Sequence, residues 1–539
     1  MFLRKLLIYV FSFVCLLLLP SNVKAQQEFA TDINVEYQFS TTGTTKVIHD
    51  VSLENVFSNL YATSYKLYLN NIDPISPKAF QDGTELNLTK YKEKDSTVLN
   101  VEFSDAVVGK GQKRNFRIEF ENNSFATRTG EVWEVSIPKL SQENNFRSYN
   151  VILNVPSSFG NEAYISPKAD EAKNNGDFKI YSFSKEKLLS SGITAGFGAF
   201  QVFSFNFNYH LENPLNRSAI TEIALPPDTN LQKVYYTDLK PEPDNVYVDP
   251  DGNWIGEYKL EPRQRIDVQA KGFVQIFATA RPFPKSSKEV LQNNLKPTQY
   301  WQTEHPQIKE IAAKYKTPKE IYDFVWQNLT YDYNNVKPNV ERKGAVLALN
   351  NPSSAICMEF TDLFVAIARA AGIPAREING YAYTENPQIQ PLSLVADVLH
   401  AWPEYWDEKT ESWIAVDPTW ASTTGGVDFF SKLDLRHFAF VIHGNDSSKP
   451  YPPGSYKLGS NPQKDVFISF GQLPQEKQSA LDIKVRPLEG LPFMNSKVEV
   501  TIKNPGPSAL YNLEPQILFD GKFETSGFIE ILPPFSTHK

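Results

Sequence analysis

From Phe29 to about Phe277 the chain alternates apolar and polar positions in short runs, as in Thr97-Val-Leu-Asn-Val-Glu-Phe103, Asn115-Phe-Arg-Ile-Glu-Phe120 and Gln201-Val-Phe-Ser-Phe-Asn-Phe207. A period of two marks half-buried strands, and turn residues separate the runs throughout. All-β structure is predicted here. The stretch is longer than one sandwich of about 100 residues would use, so two β-sandwich-like domains are expected, 26–156 and 157–280, divided near Pro156. Asp249-Pro-Asp251-Gly252-Asn253 lies between two such runs. A calcium loop would need Gly at its sixth position and Glu at its twelfth, where this chain has Trp254 and Leu260, so the motif reads as a hairpin turn.

Beyond Arg281-Pro-Phe-Pro the period changes to 3.6. Thr317-Pro318-Lys319-Glu320 is a capping box with proline at the first helical position, and Ile321, Phe324, Val325 and Leu329 follow on one face. A second helix is predicted from about Cys357 to Ala371, with Phe360, Leu363, Phe364, Ile367 and Ala371 on one face and Gly372 and Pro374 to stop it. Strands are predicted next, over 376–383, 400–406 and 413–417. Residues 281–445 therefore read as an α+β domain. A Pro/Gly/Ser-rich linker, 446–478, leads to strand patterns at Leu481-Asp-Ile-Lys-Val485 and Lys497-Val-Glu-Val-Thr-Ile502, expected as a β-sandwich segment over 479–539. That segment is short for a sandwich, so truncation within it is the expectation, with any anchor beyond the last residue left open.

At the other end, Arg4 and Lys5 precede an apolar run from Leu6 to Leu19, and Val23-Lys24-Ala25 follows. The run is too short for a membrane helix of about 20 residues, so 1–25 reads as a cleaved secretion signal, with a retained anchor as the alternative. Secretion or cell-surface display is expected, with no membrane span after the signal. The 539-residue chain carries a net charge of −8 without a block of like charge, which gives nucleic acid no phosphate-neutralising surface. Hydrophobic residues at 41% and charged residues at 22% exclude global disorder.

Of the 2 cysteines, Cys15 would leave with the signal, so Cys357 remains as a lone thiol that is either inert in a core or kept for its chemistry. Its place at the start of a predicted helix favours thiolate, through unpaired N–H groups and the helix dipole. His400 and Asp417 lie on two strand-like segments joined by Asp407-Glu-Lys-Thr410. A four-residue loop over 407–410 would pair Trp406 with Glu411 and set His400 opposite Asp417, on the same face. Pro403 in that strand implies an edge position or a bulge. A thiol, an imidazole and a carboxylate so arranged form the nucleophile, base and orienter of covalent acyl transfer. Glu404 is open between a site carboxylate and a solvated strand residue. The other histidines, His437 and His443 among them, show neither HExxH spacing nor cysteine partners, so no metal or cofactor is expected.

Ala355-Ile-Cys357-Met-Glu-Phe, Ala370-Ala-Gly-Ile-Pro-Ala-Arg376, His400-Ala-Trp-Pro-Glu404 and Val416-Asp-Pro-Thr419 resemble, in order and spacing, the core motifs of the transglutaminase-like superfamily, over about 287–445. The resemblance implies a papain-like cysteine core with Cys357 as nucleophile, His400 as general base and acid, and Asp417 as orienter. It also implies an oxyanion hole built from the Cys357 N–H and one upstream group, for which Trp326, Tyr331 and Asn351 are candidates. Met358 and Trp402 are further candidates for substrate contact, although Trp402, Trp406 and Trp413 read first as sheet packing. The implied function is an exported cysteine acyltransferase or hydrolase acting on protein or peptide amides by cross-linking, deamidation or proteolysis. A non-catalytic surface scaffold carrying the same module is the alternative, and a papain-like peptidase is disfavoured by the Asp-Pro-Thr context.

Overall fold

The computed structural model describes residues 27–539 apart from 95, 142–145, 191, 338–339, 385, 389, 393–396, 398, 432, 460–462, 476–480, 489–496, 520–521 and 526. The expected signal at 1–25 lies outside the described residues. The described parts of 1–124, 141–155 and 170–185 form one compact unit, and those of 125–140, 156–169 and 186–539 form another. The chain passes between them more than once, so no single cut near Pro156 separates them.

In the first unit the alternation read at 115–120 belongs to Lys113–Asn122, which buries Phe116, Ile118 and Phe120 and exposes Asn115 and Arg117. This strand pairs with Thr45–Asn55, which pairs in turn with Phe29–Phe39. They sit inside an eight-stranded sheet ordered 171–174, 178–183, 148–156, 29–39, 45–55, 113–122, 75–81 and 84–85. Phe29–Phe39 and Ser148–Pro156 run parallel. A three-stranded sheet of 64–70, 96–102 and 87–93 completes the strands of this unit.

The second unit is built around two long antiparallel strands, Phe200–Glu212 and Arg265–Phe277, in register from Phe200 opposite Phe277 to Glu212 opposite Arg265. Val466–Phe470 lies within the expected linker 446–478 yet forms a strand against Phe203 to Phe207. Its apolar alternation was masked by the surrounding Pro and Gly. The Asp249–Asn253 motif is a hairpin turn: Val248 pairs with Trp254, and Gly252 adopts φ +97°, a left-handed conformation that glycine tolerates.

Helices Pro306–Lys314, Pro318–Asn328, Gly344–Asn350 and Cys357–Ala370 precede an antiparallel sheet ordered 412–415, 400–407, 375–382 and 437–443. Thr317 and Glu320 close the expected capping box. Phe360, Leu363, Phe364 and Ile367 of the Cys357 helix are fully buried, and each such side chain contributes roughly 1.5–3 kcal/mol of transfer free energy. The edge strand His437–His443 is covered by the β-rich part of the same unit. Phe440 packs 5.0 Å from Phe207, ring centre to ring centre, and Phe438 lies 5.7 Å from Phe205. The open backbone edge is taken by two carboxamides, Gln232 bonding the N–H and C=O of Ala439 and Asn253 those of Ile442. Farther on, Asp482–Leu488 pairs with Lys497–Lys503.

Candidate active site

Cys357 is the first residue of its helix, with Ile356 in extended conformation before it. In the first turn the Glu359 and Phe360 N–H groups donate to the Ile356 carbonyl at 3.0 and 3.3 Å, while those of Cys357 and Met358 have no intrahelical acceptor and can bind an anion. Glu359 completes the entry to the helix, accepting the Ile356 N–H at 2.9 Å and the Lys343 N–H at 3.2 Å. Tyr331 bridges to Ala355 in parallel, which brings its ring alongside. The Tyr331 hydroxyl is buried with no hydrogen-bond partner among the described residues, and burial, followed by the neighbouring Cys357 thiol, pushes its ionisation well above the usual phenol range.

The strands carrying His400 and leading to Asp417 pair as Trp406 with Trp413 and Asp407 with Ser412, two positions away from the expected register. The turn is 408–411, and Glu411 takes the left-handed conformation at φ +48° that closes it. A shift of two preserves which face each residue occupies, so His400 and Asp417 still meet, although the paired strand ends at Ala415. Pro403 lies in an interior strand without a bulge, opposite Glu377. Its carbonyl accepts Val416 N–H, and its missing donor falls where the neighbouring strand has already ended.

Asp417 is the N-cap of Pro418–Thr423, its Oδ1 accepting the N–H groups of Thr419 at 2.9 Å and Trp420 at 3.0 Å. Its Oδ2 lies 2.9 Å from His400 Nε2 and 3.4 Å from His437 Nε2. Burial alone would raise the Asp417 carboxyl, but the two imidazoles hold it below the usual carboxylate range. Burial alone would lower His400, yet the Asp417 charge and hydrogen bond, with a smaller contribution from the Cys357 thiol, push it up to about 9. Nε2 is bound to Asp417, which leaves Nδ1 as the nitrogen available to the thiol; it is buried and has no hydrogen-bond partner among the described residues. Cys357, His400 and Asp417 are 0%, 1% and 0% exposed.

Residues 302–418 match the family model of the transglutaminase-like superfamily. The chain carries a transglutaminase-like domain. A protein-glutamine gamma-glutamyltransferase of Pseudomonas aeruginosa is 24% identical over 184 residues, which are 32% of this chain and 26% of that protein. An uncharacterized protein of Mycobacterium tuberculosis is 22% identical over 129 residues, covering 21% of this chain and 40% of its own. The chain thus spans between about a quarter and two fifths of the length of these curated relatives. Among solved structures, the periplasmic domain of TgpA from Pseudomonas aeruginosa aligns with a TM-score of 0.23 at 16% identity, covering 41% of this chain and 88% of that one.

Within the transglutaminase-like domain, Tyr331 and Met358 sit beside Cys357, Met358 following it in the helix. The Trp326 indole is instead bonded to Asp323 at 3.1 Å. Asn351 is exposed at the C-cap of Gly344–Asn350, its carbonyl accepting the Ser354 N–H. Trp402 is buried, 6.0 Å from the His400 ring and 4.9 Å from His437, and packs the site from the sheet side. Glu404 is not solvated: it is buried and ion-paired to Arg376 at 2.7 Å.

Sequence reasoning missed His437, Asp434 and Trp420. His437 Nδ1 lies 2.7 Å from Asp434 Oδ1, and Trp420 lies against both imidazoles, 5.2 Å from His400 and 4.8 Å from His437. The available signal was the Asp434-x-x-His437 spacing ahead of an apolar strand, which a search for metal motifs passes over. Donor atoms of His400, Asp417 and His437 lie within 4.8 Å of one another, but hydrogen bonds within the group already use them.

Proposed function

We propose that this chain is an exported cysteine acyl-transfer enzyme acting on protein or peptide amides, with two β-sandwich-like modules ahead of its transglutaminase-like domain. The single observation that carries the reading is the buried His400–Asp417 pair, bonded through Nε2 at 2.9 Å, which leaves His400 Nδ1 without a partner among the described residues and open to a proton from Cys357. In this mechanism the Cys357 proton rests on His400 Nδ1 as a thiolate–imidazolium pair, and Cys357 Sγ attacks the amide carbonyl carbon. The developing oxyanion is held by the Cys357 N–H and the unpartnered Tyr331 hydroxyl. Collapse forms a thioester, and His400 gives its proton to the departing amine. A second amine or water then attacks the thioester, loses its proton to His400 and frees the thiol. Asp417 fixes the imidazole orientation and stabilises its charge.

Burial of the thiol favours a slender donor over a folded backbone. A side-chain amide such as glutamine suits this, and the name of the Pseudomonas aeruginosa relative points the same way. The positive n-region, apolar run and small-residue site at 1–25 support export. The test is incorporation of an amine-tagged probe into glutamine-bearing proteins, and ammonia release without the probe, by wild type and Cys357→Ala. Activity in wild type and none in the variant is expected. Equal signals, or none from wild type over a broad amide and amine panel, would give the scaffold reading precedence.

A further inference from the structure

We propose that His437 is a positioning residue: held as imidazolium between Asp434 and Asp417, it fixes the Asp417 carboxylate and moderates the basicity of His400. This rests on the acyl-transfer reading of the same site.

A neutral imidazole has one N–H and one bare lone pair. Both His437 nitrogens face carboxylate oxygens, Asp434 Oδ1 at 2.7 Å and Asp417 Oδ2 at 3.4 Å, and a carboxylate only accepts. Only the doubly protonated ring satisfies both. The ring is buried, with Trp402 edge-on at 4.9 Å and Trp420 at 4.8 Å, so no solvent competes for either proton. Consistent with this, although burial alone would lower His437, Asp434 and Asp417 push it up to about 9.

The charged and titratable groups around it are Asp434 on its own segment, Asp417 at the helix cap and His400 on the sheet. Beyond these, Tyr322 feels Asp417, while Tyr164 and Arg436 feel Asp434, Arg436 being paired with Glu134. The His400 and His437 rings are 5.7 Å apart. A fixed positive charge at that distance opposes protonation of His400, while its hydrogen bond pins the oxygen that orients His400. The device holds the carboxylate firmly without letting it trap the imidazolium, which must surrender its proton to the leaving amine.

The full chain is tested by following Cys357 alkylation with iodoacetamide against pH, together with turnover and melting temperature. The variants are His437→Phe, which keeps a ring between the tryptophans, and Asp434→Asn/His437→Gln, which replaces the charged chain with neutral amides able to bond to one another and to Asp417. Loss of the fixed charge is expected to move both limbs of the alkylation profile to higher pH by on the order of one unit, and to lower kcat roughly 10- to 100-fold with KM little changed. The double variant should recover melting temperature while keeping the displaced profile, and it serves if His437→Phe fails to fold. If the folded variants keep the wild-type profile and only melting changes, His437 is structural and the proposal is overturned. If wild type itself shows a single rise near the free-thiol pKa of about 8.5, the acyl-transfer reading fails and takes this proposal with it.

Discussion

Asp417 Oδ2 lies 2.9 Å from His400 Nε2 even though Asp417 stands two residues past the strand that pairs with the His400 strand. It reaches the imidazole because it is the N-cap of the next helix, where one oxygen holds the Thr419 and Trp420 N–H groups and leaves the other free to turn inward. Helix capping and imidazole orientation are thus joined in one side chain.

Asp417→Asn should therefore lose stability as well as activity. An amide has one accepting and one donating end, so in either flip its NH2 meets donors: the two imidazoles, or the two backbone N–H groups. Unsatisfied buried groups cost about 1–3 kcal/mol each, and kcat should fall on the order of 10²–10³-fold, less than in a serine triad because a thiol is more acidic. Thermal melting beside single-turnover kinetics checks this, and unchanged melting would contradict the capping role.

The Gln232 carboxamide supplies a second buried test, since it closes the edge of the His437 strand with one bond to the Ala439 N–H and one to its carbonyl. Gln232→Leu keeps bulk, leaves both Ala439 backbone groups unpaired and also removes the bond to the Pro227 carbonyl at 2.6 Å, a loss of roughly 2–4 kcal/mol. Hydrogen exchange at Ala439 should accelerate in the variant while exchange in the Cys357 helix changes less.

What could be read from sequence follows the range of the interactions involved. The Thr317 capping box, the Cys357 helix and the hairpin at Asp249 are decided by residues within a few positions, and they formed as expected. The His400 strand register missed by two because Glu411 adopts a left-handed turn conformation that nothing in its residue type announces. The face survived because side-chain alternation has period two. The link from Asp434 through His437 to Asp417 depends on a strand that joins the sheet on the far side of Ala375–Ala382 from His400, a placement local pattern does not encode.

The histidines of the two units should titrate against stability with opposite sign. His400 and His437 are raised to about 9, so the stability they contribute is full below their unfolded value of about 6.5 and is lost as pH rises through about 9. His49, buried in the first unit, is lowered by desolvation to about 4, so its contribution is present above about 6.5 and is lost as pH falls through about 4. Each shift corresponds to about 3 kcal/mol at most, and the two that share Asp417 do not add. Hydrogen exchange from pH 4 to 10 should show the first unit loosening in acid and the site loosening in alkali. His49→Phe should abolish the acid limb alone.

Tyr331 separates stability from activity most sharply. Its hydroxyl is buried beside Cys357 without a partner among the described residues, an arrangement that costs the resting protein about 1–3 kcal/mol relative to a satisfied group. A fold that retains such a group gains something from it in another state, and the tetrahedral oxyanion is the acceptor that chemistry at Cys357 would create. Tyr331→Phe should accordingly melt at the wild-type temperature or slightly above, because the ring packing stays and the unpaired hydroxyl goes. Acyl transfer should fall on the order of 10- to 100-fold in kcat with KM nearly constant, the pattern of an interaction made only in the transition state. Alkylation of Cys357, which forms no oxyanion, should keep its wild-type pH profile. Full activity in the variant would leave the Cys357 N–H to stabilise the oxyanion without this hydroxyl, and would return Tyr331 to the core.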